Sequence, residues 1–154
     1  MFDPLFSRIL VAFDNSEPSK CALDLAAKIA AKFKGELIVL TVVPRVTMPI
    51  FSEDGIESFS IAETQNMYDK LEEIYRRALE KAEADVRMRY PDLKVEALLM
   101  KGRPSATIVE EAEQRDVNLI TIGSRGLGGI TGWLLGSTSH KVVDQCTKPI
   151  LIIK

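Results

Sequence analysis

The chain has 154 residues, 46% hydrophobic and 27% charged, with a formal net charge of −2. That fits a single globular domain over residues 1–154 and excludes a disordered chain, a pair of ordinary domains and the basic surplus of a dedicated nucleic-acid binder. No apolar run reaches the roughly 18 residues of a membrane span, and Met1-Phe-Asp-Pro-Leu-Phe6 lacks the basic flank of a signal peptide.

Arg8-Ile-Leu-Val-Ala-Phe13 predicts a first strand, ending at Asp14. Asn15 and Ser16 supply capping chemistry, and Pro18 falls in the first helical turn, where its missing N–H costs nothing. Leu25, Ile29 and Phe33, flanked by Ala22, Ala26 and Ala30, outline an amphipathic helix that Gly35 is expected to close as a C-cap. Glu36 to Val43 is almost continuously apolar, as in a parallel strand buried on both faces, and Pro44 stops it. Residues 44–60 predict a long loop. Met67, Leu71, Ile74, Ala78, Ala82 and Val86 form the stripe of a long second helix that ends before Pro91. Val95 to Met100 predicts the third strand, followed by Lys101-Gly-Arg-Pro104 and a third helix with Ile108, Val109 and Ala112 inward. Val117 to Ile122 is the fourth strand. Val142, Val143 and Cys146 mark the inner face of a fourth helix, and Pro149 to Ile153 is the last strand. Cys21 and Cys146 have neither disulfide nor zinc spacing, which points to a reducing, cytoplasmic setting with both as small buried hydrophobes.

The alternation β-α-β-α-β-α-β-α-β predicts the α/β class: a single-domain open five-stranded parallel sheet with helices on both faces, Rossmann-like. In such sheets ligands bind beyond the carboxyl ends of the strands, where strand order reverses. If the first strand is central, Asp14-Asn15-Ser16 and Gly123-Ser-Arg-Gly126 flank that crevice, and Lys101-Gly102-Arg103 follows the third strand. Glycines past a strand let backbone approach a ligand. Gly136, Ser137 and Thr138 then open a helix whose free amides favour an anion. The arrangement is a phosphate cradle but not a P-loop, since no G-x-x-x-x-G-K-[ST] occurs. Ser137 and Thr138 also serve as helix caps, a role with the same geometry.

Gly123-x-x-Gly126, nine residues, then Gly136-Ser137 resembles the ATP-binding signature of the universal stress protein family, and the resemblance covers essentially the whole chain. It implies an adenine nucleotide alpha hydrolase-like fold that binds ATP, with Mg2+ or Mn2+ held mainly by the phosphates. It also implies a homodimer paired through the C-terminal strand, Pro149 to Ile153. By the same resemblance Asp14 lies near the ribose and the metal–phosphate region, Val42 meets adenine and Gly102 lies beside the nucleotide. Gly123 and Gly126 line ribose and phosphates, and Gly136, Ser137 and Thr138 cradle the phosphates. Arg125 stands where the family often has histidine, and an arginine there can grip a phosphate. Gly128, Gly129 and Gly132 make the stretch between the glycines looser than is usual in the family.

Asp14 is the one candidate base and no second carboxylate is placed to hold metal, so any ATP hydrolysis is expected to be slow and incidental. The first expectation is a nucleotide-dependent regulator or sensor in stress response that acts on an unidentified protein partner, without nucleic acid or membrane. The alternatives are a weak ATPase or phosphotransferase using Asp14, and a dimeric interaction module with a vestigial nucleotide site.

Overall fold

The computed structural model describes residues 5–45, 60–127 and 135–154. Most of the expected 44–60 loop, the extra glycines Gly128, Gly129 and Gly132, and Trp133 lie outside the described residues.

Along the chain, β1 (Arg8–Ala12) leads into α1 (Glu17–Phe33) and β2 (Glu36–Pro44) into α2 (Ile61–Arg89). Next come β3 (Lys94–Gly102), α3 (Pro104–Gln114), β4 (Leu119–Gly123), α4 (Ser137–Gln145) and β5 (Ile150–Ile153). The five strands form one parallel sheet in the order β3-β2-β1-β4-β5. Central Leu10 has Ile38 on one side and Ile120 on the other. After β1 the chain builds outward through β2 and β3, then crosses back to add β4 on the opposite flank. The reversal point between β1 and β4 is therefore fixed by topology.

Alternate residues of each strand feed two cores. Ile9, Val11, Leu37 and Val39 pack with Ala22, Ala26 and Ala30 of α1 and with Leu79, Ala82 and Val86 of α2. Leu10, Ile38, Leu40 and Ile120 pack with Ile108 and Ala112 of α3 and Val142 of α4. The alanines of α1 let its backbone lie close on the sheet. Both faces are covered, which is why β2 reads as nearly unbroken hydrophobicity.

Four local expectations are corrected. Lys34, not Gly35, takes the left-handed conformation that ends α1, at φ 54°. Gly35 is required by space instead, because a Cβ there would lie 2.3 Å from the Phe6 carbonyl oxygen. The second helix begins earlier than its apolar stripe, at a capping box in which Ser60 Oγ accepts from Glu63 N and Glu63 Oε2 accepts from Ser60 N. Its 29 residues span about 43 Å, whereas the nine-residue β3 spans about 30 Å. The helix therefore overruns the sheet at one end. Its buried residues Leu79, Ala82 and Val86 all fall in the C-terminal half, and Met67 and Ile74 are exposed. Val143 turns outward on α4, leaving Val142 as the inward anchor. Cys21 is exposed rather than buried, while Cys146 is half-buried and packed against the α3/α4 core.

Candidate functional site

At the end of β1 the chain turns sharply into α1, with Asn15 at φ 67°, a left-handed conformation that asparagine tolerates better than most side chains. The turn fixes Asp14. Its Oδ1 accepts from Ser16 N at 3.0 Å and from the Ser16 hydroxyl. Its own N–H donates to Ser19 Oγ at 3.3 Å. Its other oxygen, Oδ2, accepts from Leu127 N at 3.2 Å, across the switch point.

Space rather than backbone angle accounts for the glycines on the β4 side, strictly at Gly123 and more loosely at Gly126 and Gly136. A Cβ on Gly123 would lie 2.8 Å from Pro18 Cβ and 2.9 Å from the Pro18 carbonyl carbon, so the gap it leaves is filled by the first turn of α1. A Cβ on Gly126 would lie 2.6 Å from Asp14 Oδ2. One on Gly136 would lie 3.3 Å from Arg125 Cα and from the Ser124 oxygen. Ser124 is the knot of this region: its N–H donates to Ile153 O at 2.6 Å, and its carbonyl accepts from Gly136 N at 2.7 Å and Ser139 Oγ at 2.9 Å. The start of α4 is thereby stitched to the glycine turn after β4. Gly136 is the N-cap of α4 and supplies no side chain to its first amides, while Ser137 is exposed and Thr138 half-buried in that first turn. Amides at such a helix start carry partial positive charge and favour an anion.

Asp14, Gly123, Arg125, Gly126 and Gly136, with Ser137 and Thr138 beside them, are thus gathered around the ends of β1 and β4. Val42 and Gly102 are placed differently. Val42 is buried in the core on the α3/α4 face. Its neighbour Thr41 is the β2 residue that lines a small cavity beside Asp14, together with Phe13, Tyr75, Ala78 and Leu127. Thr41 Oγ1 donates to the Phe13 carbonyl at 2.8 Å, which holds the ends of β1 and β2 together. Burial pushes the Tyr75 phenol above its ordinary pKa, and the nearby Asp14 charge adds to the rise. Gly102 is buried at the end of β3, opposite Pro44, and a Cβ there would lie 2.8 Å from Thr107 Oγ1.

Thr41, Tyr75, Ser124 and Ser139 were not singled out from the sequence. Ser139 had a usable signal, a hydroxyl three residues after the N-cap glycine. Tyr75 had none, since only the packing of α2 brings it over Asp14. Among the described residues, no group of three or more His, Cys, Asp or Glu side chains is placed to hold a metal ion, and no helix is long and apolar enough to cross a membrane.

The model of the universal stress protein family matches residues 5–154. The chain belongs to that family. It is 34% identical to the universal stress protein YxiE of Bacillus subtilis over 159 aligned positions, covering 97% of this chain and all of that protein. Among solved structures, the universal stress protein UspA from Lactobacillus plantarum superposes with a TM-score of 0.80 at 22% identity, covering 97% of this chain and 98% of that one. A universal stress protein in complex with cAMP superposes at 0.63 with 24% identity, covering 96% of each chain. One from Archaeoglobus fulgidus in complex with dAMP superposes at 0.64 with 21% identity, covering 97% of this chain and 99% of that one. These likenesses carry the α/β fold and its five-stranded parallel sheet.

Proposed function

We propose that residues 1–154 form one adenine-nucleotide-binding domain of a cytoplasmic regulator, with ATP as its ligand and nucleotide occupancy as the signal passed to a protein partner. The observation that carries this reading is the meeting of Asp14, Gly126 and the start of α4 at the β1/β4 switch point. Two proteins of the same fold were solved with adenine nucleotides, cAMP in one and dAMP in the other. Backbone amides and the hydroxyls of Ser137 and Thr138 suit phosphate oxygens, and Arg125 adds a positive charge beside them. Gly123 and Gly126 line the ribose and phosphates, and Gly123 also lets the first turn of α1 approach. In this reading Val42, near the end of β2, meets adenine, and Gly102, at the end of β3, lies beside the nucleotide. Asp14 already accepts hydrogen bonds on both carboxylate oxygens, so Mg2+ or Mn2+ would be held mainly by the phosphates. We also propose that β5, half-exposed along its length and with one neighbouring strand among the described residues, pairs with a second copy to make a homodimer.

The test is calorimetric titration of ATP with magnesium into the wild type, Gly136→Val and Ser137→Asp. A side chain at Gly136 obstructs the approach to the amides. A carboxylate at Ser137 repels phosphate while suiting the helix dipole, so that variant stays folded. Binding to the wild type that is lost in both variants supports the cradle; wild-type protein that takes up no nucleotide overturns it. Sedimentation gives the oligomer, and a monomer at all concentrations refutes the β5 dimer.

A further inference from the structure

We infer that Tyr75 of α2 is a positioning residue for the base of the bound nucleotide, its ring forming the wall of the cavity opposite the ends of β1 and β2. The inference rests on the nucleotide reading of the β1/β4 site and deepens it by giving that site a side chain on α2.

The helix is clamped antiparallel to β3 at two points. Glu72 pairs with Lys101 near the carboxyl end of that strand, and Arg87 donates to the Val95 carbonyl near its start. The turns of α2 before Glu72 therefore project past the strand ends, on the side where a parallel sheet places its ligand. Tyr75 stands just inside that edge. It lies four residues before Leu79 and continues the stripe of Leu79, Ala82 and Val86, which are buried in the core. The stripe aims its side chain at the sheet, yet the strands it meets are coming to an end there. The residue is half-buried as a result, with core on one side and the cavity on the other.

The cavity has a volume of about 290 Å³, mouth included, close to the lower limit of about 300 Å³ for small-molecule sites. That is space for a ring system rather than for base, ribose and phosphate chain together. Asp14 and Thr41 line its strand side, Tyr75 and Ala78 its α2 side. Ala78 is small and leaves the space beside the ring open. Ile74 and Leu127, 65% and 63% exposed, add apolar side chains to the lining. With the ribose at Asp14 and the phosphates towards α4, the base falls on the β2 side, against Tyr75. A flat aromatic face beside a flat heterocycle suits stacking. Burial, and then the Asp14 charge, hold the phenol in its protonated form, so the ring brings no second negative charge to the cavity.

The experiment titrates ATP with magnesium into the wild type, Tyr75→Phe and Tyr75→Leu by calorimetry, with thermal melts to verify folding. The phenylalanine variant keeps the ring and should bind within about twofold of the wild type. The leucine variant should bind about tenfold more weakly, the lower scale of one base–aromatic stack. Nuclear magnetic resonance of tyrosine-labelled protein supplies a readout that a merely structural role would not move. The chain has three tyrosines, and the ring signal missing from Tyr75→Phe identifies Tyr75. That signal should shift upfield on addition of ATP and stay in place on addition of inorganic tripolyphosphate. A signal unmoved at saturating ATP, a folded leucine variant with wild-type affinity, or a phenylalanine variant that loses as much as leucine overturns the inference and leaves the nucleotide site standing. Wild-type protein that binds no ATP overturns the nucleotide reading itself, and this inference with it.

Discussion

Asp14 and Leu127 are 113 positions apart, yet Asp14 Oδ2 accepts the Leu127 amide hydrogen at 3.2 Å. One carboxylate thereby joins the turn after the central strand to the turn after β4, across the crevice where a parallel sheet places its ligand. Its other oxygen is held by Ser16, so the group is oriented from both sides. Asp14→Ala removes both anchors. The expected cost is about 1–2 kcal/mol of stability, the scale for part-exposed charge-assisted hydrogen bonds. Nucleotide affinity is expected to fall by more than that destabilisation accounts for. Chemical denaturation and titration on the same preparation check the two effects.

Two glycines three residues apart are expected to respond differently to alanine. Gly123→Ala drives a methyl against Pro18 Cβ and backbone, and the first turn of α1 has to move. The expected loss is about 1–3 kcal/mol, the usual scale of overpacking. Gly126→Ala meets only Asp14 Oδ2, a side-chain atom that can give way at the cost of its single bond to Leu127 N. It should melt near the wild-type temperature and lose nucleotide binding. Thermal melts beside binding isotherms distinguish the two, and equal destabilisation would refute the contrast.

The end of α1 supports a prediction of opposite signs at adjacent positions. Lys34 holds a left-handed backbone at φ 54°, and its N–H donates towards Ala31 O while Gly35 N donates to Ala30 O. Glycine relieves the strain of that conformation, so Lys34→Gly should raise stability by about 0.5–1 kcal/mol. Gly35→Ala forces a Cβ to 2.3 Å from the Phe6 carbonyl oxygen and should lower stability by about 1–3 kcal/mol. Urea unfolding of the two variants checks both signs.

Acid stability follows from carboxylates held below their ordinary pKa. Lys94 does this most strongly to Glu36, assisted by Arg8. Lys28 and then Arg89 act on Asp24, Lys101 on Glu72 and Lys148 on Asp116. Each of these groups binds a proton less readily in the folded chain than in the unfolded one. Their contribution is therefore complete above the ordinary values of 4.5 for Glu and 3.8 for Asp, and is lost as pH falls through the lowered folded values. The melting temperature should be level from neutral pH down to about 4.5 and then decline. Lys94→Ala should make the decline shallower, because Glu36 then titrates closer to its unfolded value. A parallel pH series of melts checks this.

Much of the framework was legible before any coordinates. The unbroken apolar run of β2 announced a strand buried on both faces, and the alternation of strands and helices left a parallel doubly covered sheet as the consistent arrangement. Ser16 and Pro18 marked the start of α1 because capping chemistry is local. The glycines after β4 were visible as a site, though their spatial partners were not. Pro18 opposite Gly123 and Asp14 opposite Gly126 are contacts between distant segments, and no local pattern encodes them. Gly35 misled for the same reason: its constraint comes from Phe6, in the segment just before β1, rather than from the backbone angle of its own helix.

The sequence by itself determined which segments are strands and helices, the order in which they occur, and which strand ends carry glycine, hydroxyl and charge, because hydrophobic period and capping act within a few residues. Only the tertiary structure decided that Thr41 rather than Val42 lines the cavity beside Asp14 and that Tyr75 lies beside that carboxylate. Strand facing and register depend on the packing of the whole sheet, and a shift of one residue exchanges the two faces.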